Sequence, residues 1–278
     1  MRGFHLPGPR QDGTAAWGRG QGTDSTVVME SGFFVVVIGA VVAGFVQGLS
    51  GFAFGLVAMS FWVWVLDPRL AATLVVFGSL VGQILAAVTV RRGFDLTRLW
   101  PFVLGGLVGI PLGVALLPRL DVLWFKVALG ALLVTWSPAM LVIGRLPGIS
   151  VGGRLADGVV GLAGGILGGL GGLSGTLPTL WCTLRGYEKD VQRSIIQNFN
   201  LSVLLVTMGT YLATGVVTPS MVPLFAVVAA VVLVPTLLGA RLYAGISEAL
   251  FRRIVLGLLA LSGVVLLASS LPQLMQRG

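Results

Sequence analysis

The chain has 278 residues, 56% of them hydrophobic and only 10% charged, with a mean hydropathy of +0.98 and a formal net charge of +8. A soluble globular chain carries about 25% charged residues, so this composition cannot cover a water-facing surface, and lipid is the solvent it fits. The positive balance is the excess that cytoplasmic loops of membrane proteins collect; no basic run exceeds two residues (Arg91-Arg92 and Arg252-Arg253), which argues against nucleic acid as a partner.

Residues 1–26 are rich in Gly and polar residues, contain the single histidine (His5), and read as a disordered tail. The apolar run that follows is too long for a signal-peptide core and reads as a first helix retained in the chain. Charge-free stretches then run over 31–66, 70–90, 99–118, 127–144, 158–184, 194–240 and 254–276. A membrane-spanning helix needs roughly 20 apolar residues. Most stretches fit one span; 194–240 fits two, divided at Ala213–Pro219. They are apolar on all sides, which is helical rather than barrel patterning.

The chain repeats itself. Gly48-Leu49-Ser50-Gly51 recurs as Gly172-Leu173-Ser174-Gly175, Gly44 matches Gly168, Leu112-Gly113 aligns with Leu238-Gly239, and Gly130 aligns with Gly257. This divides the chain into a transmembrane repeat over 27–146 and a second over 147–278. The first half is expected to hold elements at 28–48, 52–66, 69–90, 98–118 and 122–144. The second should hold 156–173, 176–185, 190–213, 219–243 and 249–271. The second element of each half is too short to cross. If it returns to its starting side, eleven loop cations lie on one face against three (Arg69, Arg119, Lys126) on the other; a single broken crossing gives nine against five. The positive-inside rule favours the return. It puts both termini outside the cytoplasm and inverts the second half. The expected fold is all-α: a polytopic transmembrane protein with an inverted internal repeat, about eight full spans and two short or re-entrant helices.

Nine of the eighteen residues in 158–175 are glycine, with Gly161, Gly165 and Gly169 spaced by four, as are Gly164, Gly168 and Gly172. Such stripes let helix backbones approach. The duplicated Gly-Leu-Ser-Gly asks for more. A chain break at Ser50-Gly51 or Ser174-Gly175 exposes backbone N–H groups where the next helix starts, with Ser as N-cap and Pro178 in the first turn. Free amides and the helix dipole attract an anion without a full positive charge. The candidate binding residues are therefore Gly48, Ser50, Gly51, Gly172, Ser174, Gly175 and Thr176 at the breaks. The intramembrane amides Gln83, Gln197, Asn198 and Asn200 join them; Gln47 is a further buried amide of the bridging kind. Arg193 opens its helix near the cytoplasmic side, where it anchors at headgroups or draws anions in.

No acidic residue lies deep in any span, and no phosphate-binding loop, His-Glu-x-x-His or Gly-x-Ser-x-Gly pattern is present, so neither a carboxylate proton relay nor an enzyme is indicated. The single cysteine, Cys182, permits no intramolecular disulfide and no thiolate metal cluster, and no cofactor is expected.

The glycine-rich first helix leading into Gly48-Leu49-Ser50-Gly51-Phe52, the run Asp67-Pro68-Arg69-Leu70-Ala71-Ala72-Thr73, the second motif copy and the Gly-Ala-Arg-Leu ending at Leu242 resemble the sulfite exporter TauE/SafE family of bacterial membrane transporters. The resemblance covers about 30–270. It implies a multi-pass protein of the bacterial cytoplasmic membrane that exports or imports sulfite, sulfonates or related sulfur-containing anions. The chain departs from the family at Gln192-Arg193-Ser194, where Ala-x-x-Thr is usual; this bears on which anion it takes. The first expectation is thus a secondary transporter or facilitator for a small anion, working by alternating access with lipid around it. A membrane-embedded assembly or scaffold subunit, whose glycines only pack, is the rival. Nothing in the sequence excludes a homo-oligomer.

Overall fold

The structure, a computed structural model, describes residues 21–89, 95–143, 148–149, 152–242 and 248–276. Ten α-helices are present among them: α1 (Gln21–Ser50), α2 (Phe54–Trp62), α3 (Pro68–Thr89), α4 (Leu96–Leu116), α5 (Val122–Ile143), α6 (Gly153–Gly171), α7 (Thr176–Leu184), α8 (Lys189–Ala213), α9 (Val222–Leu242) and α10 (Glu248–Met275). The expected tail lies outside the described residues as far as residue 20, as do Arg91, Arg92 and Arg145.

Polar residues punctuate this apolar chain. Asp67 Oδ1 accepts from the amides of Arg69 and Leu70 at 3.0 and 3.1 Å, with Pro68 at the first position of α3. Asp95 caps α4 through Arg98 N, and Asp121 caps α5 through Leu123 N at 2.8 Å. Each carboxylate satisfies amides that have no carbonyl one turn back. Between α8 and α9 the chain turns through Gly215 (φ +71°) and a 3-10 turn, Pro219–Met221.

Seven helices among the described residues are long and apolar enough to cross a membrane. The glycine-rich α6 is not among them. Eight of its nineteen residues are glycine, and Arg154 and Asp157 stand near its start, so its apolarity falls short although its length does not. The nine-residue α2 and α7 are each about 13 Å long at 1.5 Å per residue, under half of a bilayer core of about 30 Å.

Both short helices turn back along the helix before them. At the end of α2, Trp62 Nε1 donates to the carbonyl of Val36, far up α1, at 3.2 Å. Near the end of α7, Trp181 Nε1 donates to Asp157 Oδ1 at 2.7 Å, and the amide of Ile149, just before α6, donates to Leu184 O at 2.8 Å. Asp157 lies in the second turn of α6 and is buried, anchoring the base of this hairpin.

Glycine sets how closely the long helices pack. The α4 and α6 helices run parallel: Gly105, Gly109 and Gly113 meet the carbonyls of Gly158, Leu162 and Ile166, while Gly161, Gly165 and Gly169 meet those of Phe102, Gly106 and Ile110. Backbone rests on backbone, and a Cβ at any of these positions has nowhere to go. The other glycine stripe of α6 faces elsewhere: Cβ atoms on Gly164 and Gly168 would reach Ser174, Phe199 and Val203. A second parallel seam joins α1 to α9, where Gly48 meets the carbonyl of Thr236 and Gly239 meets that of Phe45. Helix α5 packs on α10, α3 on α8 and α9, and α4 on α8.

Candidate functional site

The four-residue motif occurs twice but folds in two ways. Helix α1 continues through Ser50 and turns at Gly51, whose φ is +84°. Helix α6 stops at Gly171 and turns at Gly172, with φ +67°. Both values lie in the left-handed region that glycine enters at no steric cost. The same letters thus break at the last glycine in the first copy and at the first glycine in the second.

Neither serine is the N-cap that its position suggested. The N-caps of α2 and α7 are Ala53 and Gly175, and neither makes a side-chain cap bond. The Ser50 hydroxyl donates to Val46 O at 2.8 Å and accepts from the amides of Phe52 and Ala53 at 3.4 and 3.2 Å, which closes the loop just ahead of α2. The Ser174 hydroxyl instead donates to Asn200 Oδ1 at 2.8 Å, across to α8. A nearby side-chain acceptor has taken it from its own backbone. Thr176 is engaged locally, donating to Leu173 O at 2.7 Å.

The breaks from the two halves touch each other. A Cβ on Gly55 would lie 2.6 Å from the carbonyl oxygen of Gly172, and one on Gly175 would lie 3.0 Å from Cβ of Phe52. Three side chains brace the junction. Gln83 Nε2 donates to Gly51 O at 2.7 Å. The Asn200 amide closes over Gly175, with Nδ2 at 2.7 Å from the position of a Cβ there. Trp136 of α5 donates from Nε1 to Thr176 O at 3.1 Å while its ring packs edge-on against Phe52, centroids 5.9 Å apart. Trp136 therefore ties the second break to the first. Sequence reasoning missed it, because a tryptophan in an apolar run looks like any other core residue.

Gln197 stands on the same face of α8 as Asn200, one turn earlier. It is 2% exposed, and its Nε2 has no hydrogen-bond acceptor among the described residues. That nitrogen lies 2.9 Å from where a Cβ on Gly51 would sit. A buried amide donor is thus aimed at the first break. Asn198 does not join it: its Nδ2 lies 3.4 Å from Ser194 Oγ along its own helix. Gly48 is turned to the α9 seam, so of the candidate residues these two stand apart from the junction. Gln192, within the segment that departs from the family pattern, donates to Thr183 Oγ1 at 2.8 Å and holds α8 against α7.

Among the described residues the one fully buried charged residue is Asp157, and it sits at the base of the α6–α7 hairpin rather than at the breaks. Arg193, half-buried and one turn before Gln197 on α8, has its Nε out of contact with solvent. Other cationic side chains collect at the base of the hairpin: Arg98 lies 5.3 Å over the Tyr187 ring and Arg185 lies 5.8 Å from both Trp181 and Tyr187. Such arginine–aromatic groups suit the headgroup level. What the junction offers chemically is amide: one buried carboxamide donor, a second carboxamide on Asn200, and the first-turn N–H groups of α2; in α7 the Thr176 amide is taken by Leu173 O and Pro178 has no N–H.

Among curated proteins and among solved structures no match was found. Residues 36–266 match the family described as sulfite exporter TauE/SafE, and the chain belongs to that family. It is a family of membrane transporters for sulfur anions rather than of enzymes, which agrees with the seven helices among the described residues that are long and apolar enough to span a membrane.

Proposed function

From the premise of that membership, we propose that this chain is a secondary transporter or facilitator for a small sulfur-containing oxyanion, bound between the Gly51 break and the Gly172–Gly175 break. The observation that carries the site is Gln197 Nε2, a buried donor without an acceptor among the described residues. Leaving such a group unsatisfied costs about 1–3 kcal/mol, and an oxyanion, which offers only acceptors, answers that need. The first-turn amides of α2 add the positive end of a helix dipole. Neutral donors hold an anion firmly enough to select it and loosely enough to release it, as a transport site requires.

The inverted repeat is supported by how the helices pair. Exchanging α1–α5 with α6–α10 turns the α1–α9 seam into the α6–α4 seam and the α3–α9 contact into α8–α4. It returns α5–α10 and α3–α8 to themselves. With α2 and α7 turning back, the three crossings α3, α4 and α5 leave the second half opposite in orientation to the first. Rocking of one half against the other is then the natural route to alternating access. The positive-inside rule, applied to the loop cations, favours both termini outside. Externally added thiol reagent should label Ser220→Cys and miss Thr97→Cys, and the reverse pattern would sink this orientation.

Proteoliposome flux tests the function. Purified protein should carry labelled sulfite or a small sulfonate, and Gln197→Leu should lose that flux while staying folded. Absence of flux for every sulfur oxyanion tried, with intact protein, would favour an assembly subunit whose glycines only pack.

A further inference from the structure

Away from the breaks, α10 packs closely on α5 but stands off from α1 and α2. The space left between these three helices is an apolar groove of about 350 Å³. Its floor is Val46 of α1, Val57 of α2 and Leu259 of α10, all buried; its rim is Trp64, in the turn after α2, with Leu258 and Leu261 of α10, all exposed. The wall offers little to a polar solute. Ser60 sends its hydroxyl to the carbonyl of Val57 at 2.7 Å, and Trp64 sends Nε1 to the carbonyl of Ser60 at 3.1 Å.

The groove has a definite length and one charged end. Along α10 it runs from Val255 to Val265, about 15 Å at 1.5 Å per residue, which is half of a hydrocarbon core of about 30 Å. The charge is Lys126 of α5, whose Nζ lies 5.4 Å over the Trp64 ring. Helix α5 runs antiparallel to α10: Gly130 meets Leu266 and Leu267, while Gly263 meets Leu133 and Val134. Lys126, one turn before Gly130, therefore stands past Val265 toward the end of α10. It forms no ion pair among the described residues. The carboxylates at this end of the helices, Asp67 and Asp121, accept from the first amides of α3 and α5. Tryptophan collects at the membrane–water boundary, and a lysine there lays its stem on apolar surface with its ammonium at the headgroups.

We propose that this groove holds one acyl chain of an anionic phospholipid whose phosphate sits on Lys126. The length selects the chain. A slot one leaflet deep suits a lipid tail, whereas a spanning helix is about 10–12 Å across with its side chains and needs the full depth of the core. The charge selects the headgroup. Bilayer tails are as apolar as the groove, so any lipid can fill it, and the choice between lipids falls to Lys126. A lipid of net negative charge complements that ammonium, whereas a zwitterionic one brings its own cation to the same place. The chain lies against Val57 and Trp64, so it joins α2, the helix that leaves the first break, to α10. None of this depends on which anion the protein carries.

Thermal unfolding of the purified full-length chain in detergent tests this, with phosphatidylglycerol or phosphatidylcholine of matched acyl chains added. Phosphatidylglycerol should raise the midpoint saturably, and at lower concentration than phosphatidylcholine. Lys126→Gln should raise the half-effective phosphatidylglycerol concentration about fivefold, the roughly 1 kcal/mol that one basic residue contributes beside anionic lipid, and should bring the two lipids level. Lys126→Arg should keep the preference. Ser262→Phe, which sets a ring in the groove, should remove the saturable shift for both lipids. Equal stabilisation by the two lipids in the parent, or a preference that Lys126→Gln leaves intact, overturns the proposal even where Ser262→Phe fails to fold. So does an equal shift from glycerol phosphate, which carries no chain and would make Lys126 a site for free phosphate. A concentration-dependent dimer that Ser262→Phe breaks and lipid leaves untouched would give the groove to a second copy.

Discussion

The two chain breaks begin from the same four residues and end in different states. At the second, the side chains are engaged: Ser174 with Asn200 and Thr176 with Leu173, and the Thr176 carbonyl accepts from Trp136. At the first, Ser50 holds its own loop, Gln83 holds the Gly51 carbonyl, and the Gln197 donor that arrives from the other half has no acceptor among the described residues. One break is closed by its neighbours and the other is left with capacity. A short motif specifies that the chain will turn; the side chains around it decide what the turn can bind.

What the breaks share should be the hardest to alter. Both hairpins hang from glycine seams, α6 on α4 and α1 on α9. A Cβ on Gly165 would strike the backbone of Gly106, and one on Gly48 the backbone of Thr236. Backbone cannot move aside, so Gly165→Val and Gly48→Val should each abolish recovery of monodisperse protein by size-exclusion chromatography. Gly209, on α8 with nothing within 4 Å of an added Cβ, is the control. Gly209→Ala should be neutral or stabilise by about 0.5–1 kcal/mol. Recovery of normal Gly165→Val protein would mean the seam is looser than its geometry.

The difference between the breaks is sharpened by Gln197→Leu. It removes the unsatisfied donor and keeps similar bulk, so thermal stability without ligand should hold or rise. Flux of labelled sulfite or sulfonate should nevertheless fall by at least about tenfold, the loss of roughly 1.4 kcal/mol of binding. A fall in both would make Gln197 a packing residue. The change Ser174→Ala plus Gly175→Leu, which the duplicated motif suggests as a test, is a poorer probe, because a side chain on Gly175 would collide with Asn200 and Phe52 and disturb folding and binding together.

The helices were largely legible because their signals are local. Asp67, Asp95 and Asp121 mark helix starts by capping them, Pro219 and Gly215 divide the longest apolar stretch, and the ten expected elements lie close to the observed ones. Loop charges favour a return of α2 and α7, and the Trp62–Val36 and Trp181–Asp157 bonds lay these helices back along α1 and α6. The site was less legible. Which glycine turns at each break, and where Ser174 sends its proton, depend on Asn200, 26 residues away.

Ser174→Ala comes next in size. It leaves Asn200 Oδ1 buried without its donor, which should cost about 1–3 kcal/mol. Because the two side chains form one bond, Ser174→Ala and Asn200→Ala should not add. A double-mutant cycle read by chemical or thermal unfolding should give a coupling of about 0.5–3 kcal/mol, and a coupling near zero would show that the bond does not hold the second break closed.

The smallest effect is expected at the matching serine of the first break. Ser50 is half-buried, and its hydroxyl bridges groups of its own loop at 2.8, 3.2 and 3.4 Å rather than reaching another helix. Water can take the place of a hydroxyl at such a position. Ser50→Ala should therefore lose no more than about 0.5–2 kcal/mol, the range for removing a capping hydroxyl. Freed from Ser50, the amides of Phe52 and Ala53 stay at the mouth of the anion site, so flux should remain within about threefold of the parent, a change of roughly 0.6 kcal/mol in the barrier. If Ser50→Ala instead abolishes flux in a protein of normal stability, the hydroxyl itself contacts the anion. The first break would then bind through its serine as well as through Gln197, and the difference between the two copies would lie in their partners and not in their use.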